Sequence, residues 1–416
     1  MNIWFVSIFE VTPIDDNLNT RFNCLVREAI KKDHEVTFWA STFRHNVKEQ
    51  RFNKDTEFNL KEDLKLFFIK SKPYYKNISI SRLYSHYVYS KDLIRQLNKQ
   101  VKKPDLIVIA FPPISIAYEV IIWASAKNIP VVVDIIDPWP DVFEAHFAKV
   151  PKVISNLIFS PLRNRVKYIF KNANAVTSIS NQYIEWSKRY NAQLKNQACF
   201  YPSIDYRLIK EQLVNVSKDI EKRQDVFTVI YAGSLGYSYD IPTILKAAEL
   251  LYNKYGLQIR FTIAGDGPQK SMVEEYQSKF PNIRYTGRLT KEKLMEEYHC
   301  SDMGMTQHIK GATQSVTYKL FDLLACGLPI LNSLEGEMRN IIVDNNVGLH
   351  NTPGDAIGLA ENIESCFRNP DKILTMKKNA HELTSKEGDS NIVYKRAIEY
   401  FESVVLSYNN KNNSHN

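Results

Sequence analysis

Runs of aliphatic residues without polar alternation recur along this chain, separated by longer amphipathic stretches. Such runs predict strands buried on both faces, alternating with helices. In the first half the strands fall at residues 1–9, 34–40 (HEVTFWA), 105–110, 130–136 (PVVVDII) and 173–179 (ANAVTSI). A polar loop, VTPIDDNLNTR, follows the first strand and leads into a helix over about 22–32. The second half repeats the rhythm: a strand at 227–232 (FTVIYA), a loop GSLGYSYD, a helix over 241–254, and a strand at 259–264 (IRFTIA) ending in Gly265-Asp266-Gly267-Pro268. The segments NIRYTGRL and SDMGMTQ, a strand near Ile330 and a helix-rich end over 355–407 complete it. The pattern predicts an α/β fold with two doubly wound parallel sheets. Residues 1–200 form the first domain, 201–225 a charged linker, 226–390 the second domain, 391–408 a terminal helix and 409–416 a disordered polar tail.

A chain of 416 residues with 44% apolar and 24% charged residues fits two globular domains. Its five cysteines are scattered, without a CxxC pair or metal-ligand spacing, which fits a reducing compartment. MNIWFVSIF lacks the basic start of a secretory leader, and the apolar stretch 106–125 is broken by Pro112-Pro113 and Glu119. A cytoplasmic protein is expected. The net charge of +8 favours anionic partners, although no nucleic-acid recognition motif is present.

The most telling window is 311–330, GATQSVTYKLFDLLACGLPI. A polar loop ends at Ser315 and Thr317, and a helix begins with Lys319 in its first turns and Asp322 among apolar neighbours. Gly327 stops it. A helix start offers free N–H groups and partial positive charge to a phosphate. Lys319 there opposes the helix dipole, which makes sense if an anion is bound. Asp322, three residues on, lies near the same face and can accept hydrogen bonds from hydroxyls. An amphipathic helix with an ordinary cap would show the same spacing, so the window alone leaves both readings open.

The ordered set YAGSLG (231–236), IAGDGP (263–268), IRYTGRLTKEKLMEEYHCSD (283–302) and KLFDLLACGLPI (319–330) resembles retaining glycosyltransferases of family 4, which have the GT-B fold. HEVTFWASTFRH (34–45) and DIIDPWPD (134–141) resemble a subgroup that assembles bacterial surface polysaccharides and includes N-acetylfucosamine-type transferases. The resemblance implies two Rossmann-like domains facing a cleft, with the C-terminal helix crossing back to the first. It also implies transfer from a nucleotide sugar, UDP-linked, to a polyprenyl-diphosphate-linked saccharide. Of two family glutamates eight positions apart, the second falls on Asp322, at the ribose hydroxyls, and the first on Gln314, which departs from the pattern. Lys319 matches the basic residue at the donor diphosphate. Gly233, Ser234 and Gly236 match the loop that approaches it, and Arg288 matches the position beside the base. Where many relatives carry a further Lys or Arg after that loop, this chain has Tyr237, Ser238 and Tyr239.

Transfer needs a stabilised leaving diphosphate, a shielded sugar carbon and a positioned acceptor hydroxyl. Lys319 with the helix start suits the first task. Asp137, just past a strand end, is a candidate for orienting the acceptor, and His45 for touching the acceptor or the transferred sugar. Arg21 is a candidate for an acceptor or donor phosphate. A structural turn at Asp137 and a surface or structural role for His45 and Arg21 remain open. No DxD or His–carboxylate cluster suggests a metal, so metal-independent chemistry is expected. The stretch 151–171 mixes aliphatic, aromatic and basic residues without an acid. It predicts basic amphipathic helices on either side of Pro161, suited to the inner membrane surface; other polysaccharide-assembly enzymes are further partners. Residues Tyr74, Tyr75, Lys76, Arg82, Tyr84, His86, Tyr87 and Tyr89 form a second such surface. The alternative is a non-catalytic GT-B subunit that binds nucleotide sugar or scaffolds a partner transferase, motivated by Gln314 and the missing base.

Overall fold

A computed structural model describes residues 1–15, 19–146, 151–220 and 225–413. Asp16 and Asn17 of the first loop, residues 221–224 of the expected linker and 414–416 of the expected tail lie outside them. The chain divides into two compact units, Met1–Tyr201 with Asn391–Asn416, and Pro202–Ser390.

The strands of the first unit are β1 (Asn2–Val6), β2 (Glu35–Ser41), β3 (Phe43–Arg44), β4 (Glu49–Gln50), β5 (Thr56–Lys61), β6 (Leu64–Ile69), β7 (Leu106–Phe111), β8 (Val131–Ile135), β9 (Ala175–Ser178) and β10 (Gln197–Cys199). Eight form one sheet in the order β10-β9-β8-β7-β1-β2-β6-β5, and β3 pairs with β4 in a separate ribbon. All neighbours in the sheet are parallel except the edge hairpin β5–β6. The chain winds outward from β1 through β2 to β6 and then restarts on the other side with β7, so the direction reverses between β1 and β7. Side chains of a strand alternate between faces, and here both faces are covered. Trp4, Val6, Ile107, Ile109, Val131 and Val133 enter one core, while Ile3, Phe5, Leu106, Val108 and Val132 enter the other. The unbroken aliphatic runs of the sequence follow directly.

The second of those cores is completed by the last helix, Ser390–Asn413, through Val393, Tyr394, Ala397, Ile398, Phe401, Val404 and Val405. The terminal helix therefore belongs to the first unit, as the resemblance implied. It runs on through Asn413, where a disordered tail was expected from residue 409. A helix anchored by a buried face extends at one hydrogen bond per residue, even through polar sequence.

Two further expectations are corrected. Residues 152–172 form one helix, Lys152–Asn172, with Pro161 inside it. Proline removes one backbone bond, but Val166, Ile169 and Phe170, buried in the core, hold the helix together. The expected linker contains a helix, Tyr206–Asp219, capped by Asp205 accepting from the Leu208 N–H at 3.1 Å. It packs on the helix Lys291–Cys300 of the second unit. Tyr206, Ile209, Leu213 and Val216 form its covered stripe, a helical spacing that the surrounding charge obscured.

The strands of the second unit are β11 (Phe227–Ala232), β12 (Ile259–Ala264), β13 (Ile283–Gly287), β14 (Met303–Thr306), β15 (Ile330–Asn332) and β16 (Gly348–His350). They form a parallel sheet in the order β13-β12-β11-β14-β15-β16. This is the Rossmann order, with its switch between β11 and β14. Val229, Tyr231, Phe261, Ile263, Met303 and Met305 pack in one core with Ile244 and Ala248 of the helix Ile241–Tyr255 and with Leu359 and Ile363 of the helix Ala356–Phe367.

Candidate functional site

In open parallel sheets, ligands bind beyond the strand C-termini at the switch point. There, in the second unit, lies a cavity of about 470 Å³ lined by Gly233, Ser234, Asp266, Arg288, Lys319 and Asp322, with apolar neighbours that include Leu289 and Leu294. Five site residues expected from the sequence, Gly233, Ser234, Arg288, Lys319 and Asp322, from three separate segments, meet here. Arg288 is exposed, whereas Lys319 and Asp322 are half-buried.

The loop after β11 is fixed from several sides. The Gly233 N–H donates to Ala264 O at 2.9 Å and the Leu235 N–H to Asp266 O at 2.9 Å. The Tyr231 hydroxyl donates to Ser234 O at 2.7 Å, and Gln269 Nε2 donates to Gly236 O at 2.8 Å and Tyr239 O at 3.1 Å. Gly236 itself sits at the end of the loop, its N–H donating to Ser234 Oγ at 3.1 Å. Gly233 has φ +151°, and a Cβ built on it would lie 2.3 Å from Lys319 Nζ. Glycine is what lets the ammonium approach the backbone this closely.

Lys319 lies in the first turn of the helix Tyr318–Ala325, which has no acid in that turn and no side-chain bond from its N-cap, Thr317. Its ammonium lies 4.3 Å from the ring centroid of Tyr231 and 4.3 Å from that of Tyr239, and donates to the Tyr231 hydroxyl at 3.2 Å. Aromatic faces attract a cation without neutralising it, so its charge stays available to a ligand. Burial pulls the ammonium down to about 7 and pushes the Asp322 carboxyl up to about 7, each partly offset by the other's charge. His308 backs the cage, its ring 5.1 Å from Tyr239, held neutral chiefly by burial.

The three polar residues before this helix do not line the cavity. Gln314 keeps its Oε1 buried and without a hydrogen-bond partner. Ser315 is buried, and the Thr317 hydroxyl lies 3.8 Å from Met338 Sδ.

In the first unit, the assignment of Arg21 to a phosphate is corrected. Arg21 is 1% exposed and makes a two-point ion pair with Asp134, Nε to Oδ2 at 2.7 Å and Nη2 to Oδ1 at 2.7 Å. Its Nη1 donates to Phe200 O at 2.6 Å, and its guanidinium lies 5.6 Å from the Tyr394 ring centroid. Thr177 donates to the same carboxylate at 2.7 Å. Asp134, an acid in the apolar run of β8, needs this partner, because a lone buried charge is very costly.

His45 and Asp137 do share a neighbourhood, around Arg82. His45 Nδ1 is 2.7 Å from the Tyr74 hydroxyl and 3.2 Å from Lys48 Nζ, and burial lowers the imidazole to about 4, helped by the charges of Lys48 and Arg82. Asp137 is exposed, and its charge acts on Arg82. The residues that the sequence reading missed as functional are the tyrosines of the lysine cage. Tyr231 lies within an apolar strand run, and Tyr239 was visible only as the absence of an expected base.

Residues 215–383 match the model of the family "Glycosyl transferases group 1". A 2-deoxystreptamine N-acetyl-D-glucosaminyltransferase of Niallia circulans is 27% identical over 139 residues, 32% of this chain and 34% of the relative. The match thus spans about a third of that relative's length. The sucrose-phosphate synthase (tll1590) of Thermosynechococcus elongatus superposes with a TM-score of 0.72 at 14% identity, over 98% of this chain and 99% of that one. Alr3699/HepE of Anabaena, solved in complex with UDP, superposes with a TM-score of 0.67 at 15% identity, over 97% and 100% of the two chains. The chain has the α/β GT-B fold of two Rossmann-like domains, and its residues 215–383 carry the pattern of the glycosyl transferases of group 1.

Proposed function

We propose that the protein is a retaining glycosyltransferase. It moves an N-acetylated amino or deoxyamino sugar from a UDP-linked donor to a lipid-linked saccharide, in capsule or O-antigen assembly on the inner face of the cell membrane. The observation that carries this reading is the Lys319 ammonium held against Gly233 by two tyrosine rings, beside Asp322, in a cavity at a sheet switch point. Lys319 and the positive end of its helix meet the charge that builds on the departing diphosphate. Asp322 accepts from ribose hydroxyls. A leaving phosphate oxygen takes the acceptor proton on the face from which it departs, so no protein nucleophile is needed.

The reaction is metal-independent in this reading, because Lys319 and the helix start take the part that a cation would play at the diphosphate. The UDP bound by the Anabaena protein and the N-acetylglucosaminyl transfer in the name of the Niallia relative support the donor class. Membrane contact is supported by the helix Lys152–Asn172, on which Val153 is 80% and Leu157 77% exposed, among basic residues. No helix among the described residues is long and apolar enough to cross a membrane.

Thermal shift with UDP, GDP, ADP and UDP-N-acetylhexosamines, with and without EDTA, tests the donor site. Ligand that favours the folded state raises the melting temperature. A UDP-specific shift that survives EDTA and vanishes in Lys319→Ala is expected, and no shift with any nucleotide would refute the reading. Gln314 and the tyrosines at 237 and 239 favour a second reading, a non-catalytic subunit; UDP binding without turnover of any donor on lipid-linked acceptors would select it.

A further inference from the structure

The helix Ile80–Lys99 holds two basic side chains inside the first unit that the donor chemistry does not use. Arg82 is 8% exposed and His86, one turn on, is 2% exposed. The Arg82 guanidinium lies 4.8 Å from the Trp139 ring centroid, 5.0 Å from Phe9 and 5.7 Å from Tyr74. Its Nη1 donates to Asn77 O at 2.6 Å, but its Nε is buried without a hydrogen-bond partner, and so is His86 Nε2. Leaving such donors and acceptors unmet in the interior is costly, and more so on a charged group. Arg21 differs: its guanidinium, also buried, is matched by a carboxylate at two points.

Positive charge is in surplus around Arg82. Lys48 Nζ lies 5.0 Å from the Tyr74 ring and 2.7 Å from Asn77 Oδ1, and Asp137 acts on Arg82 only through space. Burial and these cations keep both His45 and His86 neutral. Each then offers one ring N–H donor rather than a further charge. The walls are aromatic: Phe9 is 4.9 Å from His45 and 5.4 Å from His86, and Trp139 is 6.2 Å from His86. Aromatic rings pack against the C–H faces of a sugar, while guanidinium forks match the oxygens of phosphate and carboxylate.

We propose that Phe9, Lys48, Tyr74, Arg82, His86 and Trp139 form an oxyanion site for a phosphate or carboxylate group attached to a sugar ring. Resting on the transferase reading, that group belongs to the acceptor, and the acceptor is therefore anionic next to the sugar that is extended. Asp137 and His45, at the same place, then meet the acceptor beside its charge.

Trp139 provides the readout. Sodium pyrophosphate, farnesyl diphosphate and sodium glucuronate are titrated into the full chain carrying Lys319→Ala, and into the wild type saturated with UDP, with tryptophan fluorescence recorded. Trp139→Phe identifies the responding ring. At least one probe is expected to give a saturable change that weakens about tenfold or more in Arg82→Gln and less in Arg82→Lys. A response to the two diphosphates assigns a lipid diphosphate, and a response to glucuronate assigns an acidic sugar. No response to any probe, or an unchanged one in Arg82→Gln, overturns the proposal. Should Arg82→Gln fail to fold by circular dichroism, Lys48→Ala decides: several-fold weakening is expected, and unchanged binding overturns the proposal. Absence of UDP binding alongside an Arg82-dependent response would sink the transferase reading and leave this site standing.

Discussion

Replacing Gly233 by alanine tests the core of the proposed donor site with a single methyl group. The new Cβ would lie 2.3 Å from Lys319 Nζ and 2.6 Å from its Cε, so the ammonium must leave its place. The backbone there has φ +151°, which alanine adopts only under strain of about 1–3 kcal/mol. Stability and affinity should therefore fall for separate reasons. Strain acts on the second unit, where roughly 2–4 °C of melting temperature is lost per kcal/mol for a domain of this size. Displacing Lys319 removes a charge-assisted hydrogen bond worth about 1.5–3 kcal/mol to the diphosphate, or roughly 10- to 150-fold in UDP affinity. Isothermal titration with UDP reads the second effect directly. Gly256→Ala is the control: φ is +56° and nothing lies within 4 Å of its Cβ, so it should cost some stability and leave UDP affinity unchanged. If Gly233→Ala bound UDP as tightly as the wild type while Lys319→Ala did not, the placement of the lysine against this glycine would not matter, and the argument would fail.

Three more outcomes are expected. Burial sets free Lys319 near 7, and a bound diphosphate must raise it, so UDP binding at pH 8 should take up protons and affinity should fall from pH 7 to 9; calorimetry in Tris and HEPES checks this, and an equal enthalpy in both buffers would refute it. Arg21→Gln leaves Asp134 without its two-point partner and should destabilise the first unit by about 3–5 kcal/mol in urea unfolding, with UDP affinity unchanged; a neutral result would mean that Thr177 suffices. Val153→Glu with Leu157→Glu, at positions 80% and 77% exposed, should leave the melting temperature unchanged and abolish flotation with anionic vesicles; retained flotation would move the membrane face elsewhere.

What could be read from the sequence followed from how local its cause is. The parallel strands were legible because both faces of each sheet are covered, so PVVVDII or LIVIAF admits few other readings. Lys319 and Asp322 were legible because one helix start fixes both. The hairpin β5–β6 was not, since its outer strand TEFNLK is mostly exposed and polar. Arg21 was misread because its partner lies 113 residues away on β8, a pairing that only the fold creates. The aspartate inside PVVVDII was a readable sign that some cation had to come to it. Arg82 was misread as surface for a related reason. Its helix alternates basic and aromatic residues, and the sequence does not say that Phe9 and Trp139, from distant segments, close over it with Tyr74.

The last helix ties synthesis to folding. Residues 391–416 belong to the same compact unit as residues 1–201, and the whole second unit lies between them in the chain. On a ribosome, the first half emerges early but lacks Tyr394, Ile398 and Phe401, which close one of its two cores. Burial of such side chains is worth about 1.5–3 kcal/mol each, so the nascent first unit waits with an apolar face open while the continuous second unit can already fold. The order of completion is then the reverse of the order of translation, and a chain released before its final helix carries a finished second unit joined to an unfinished first one.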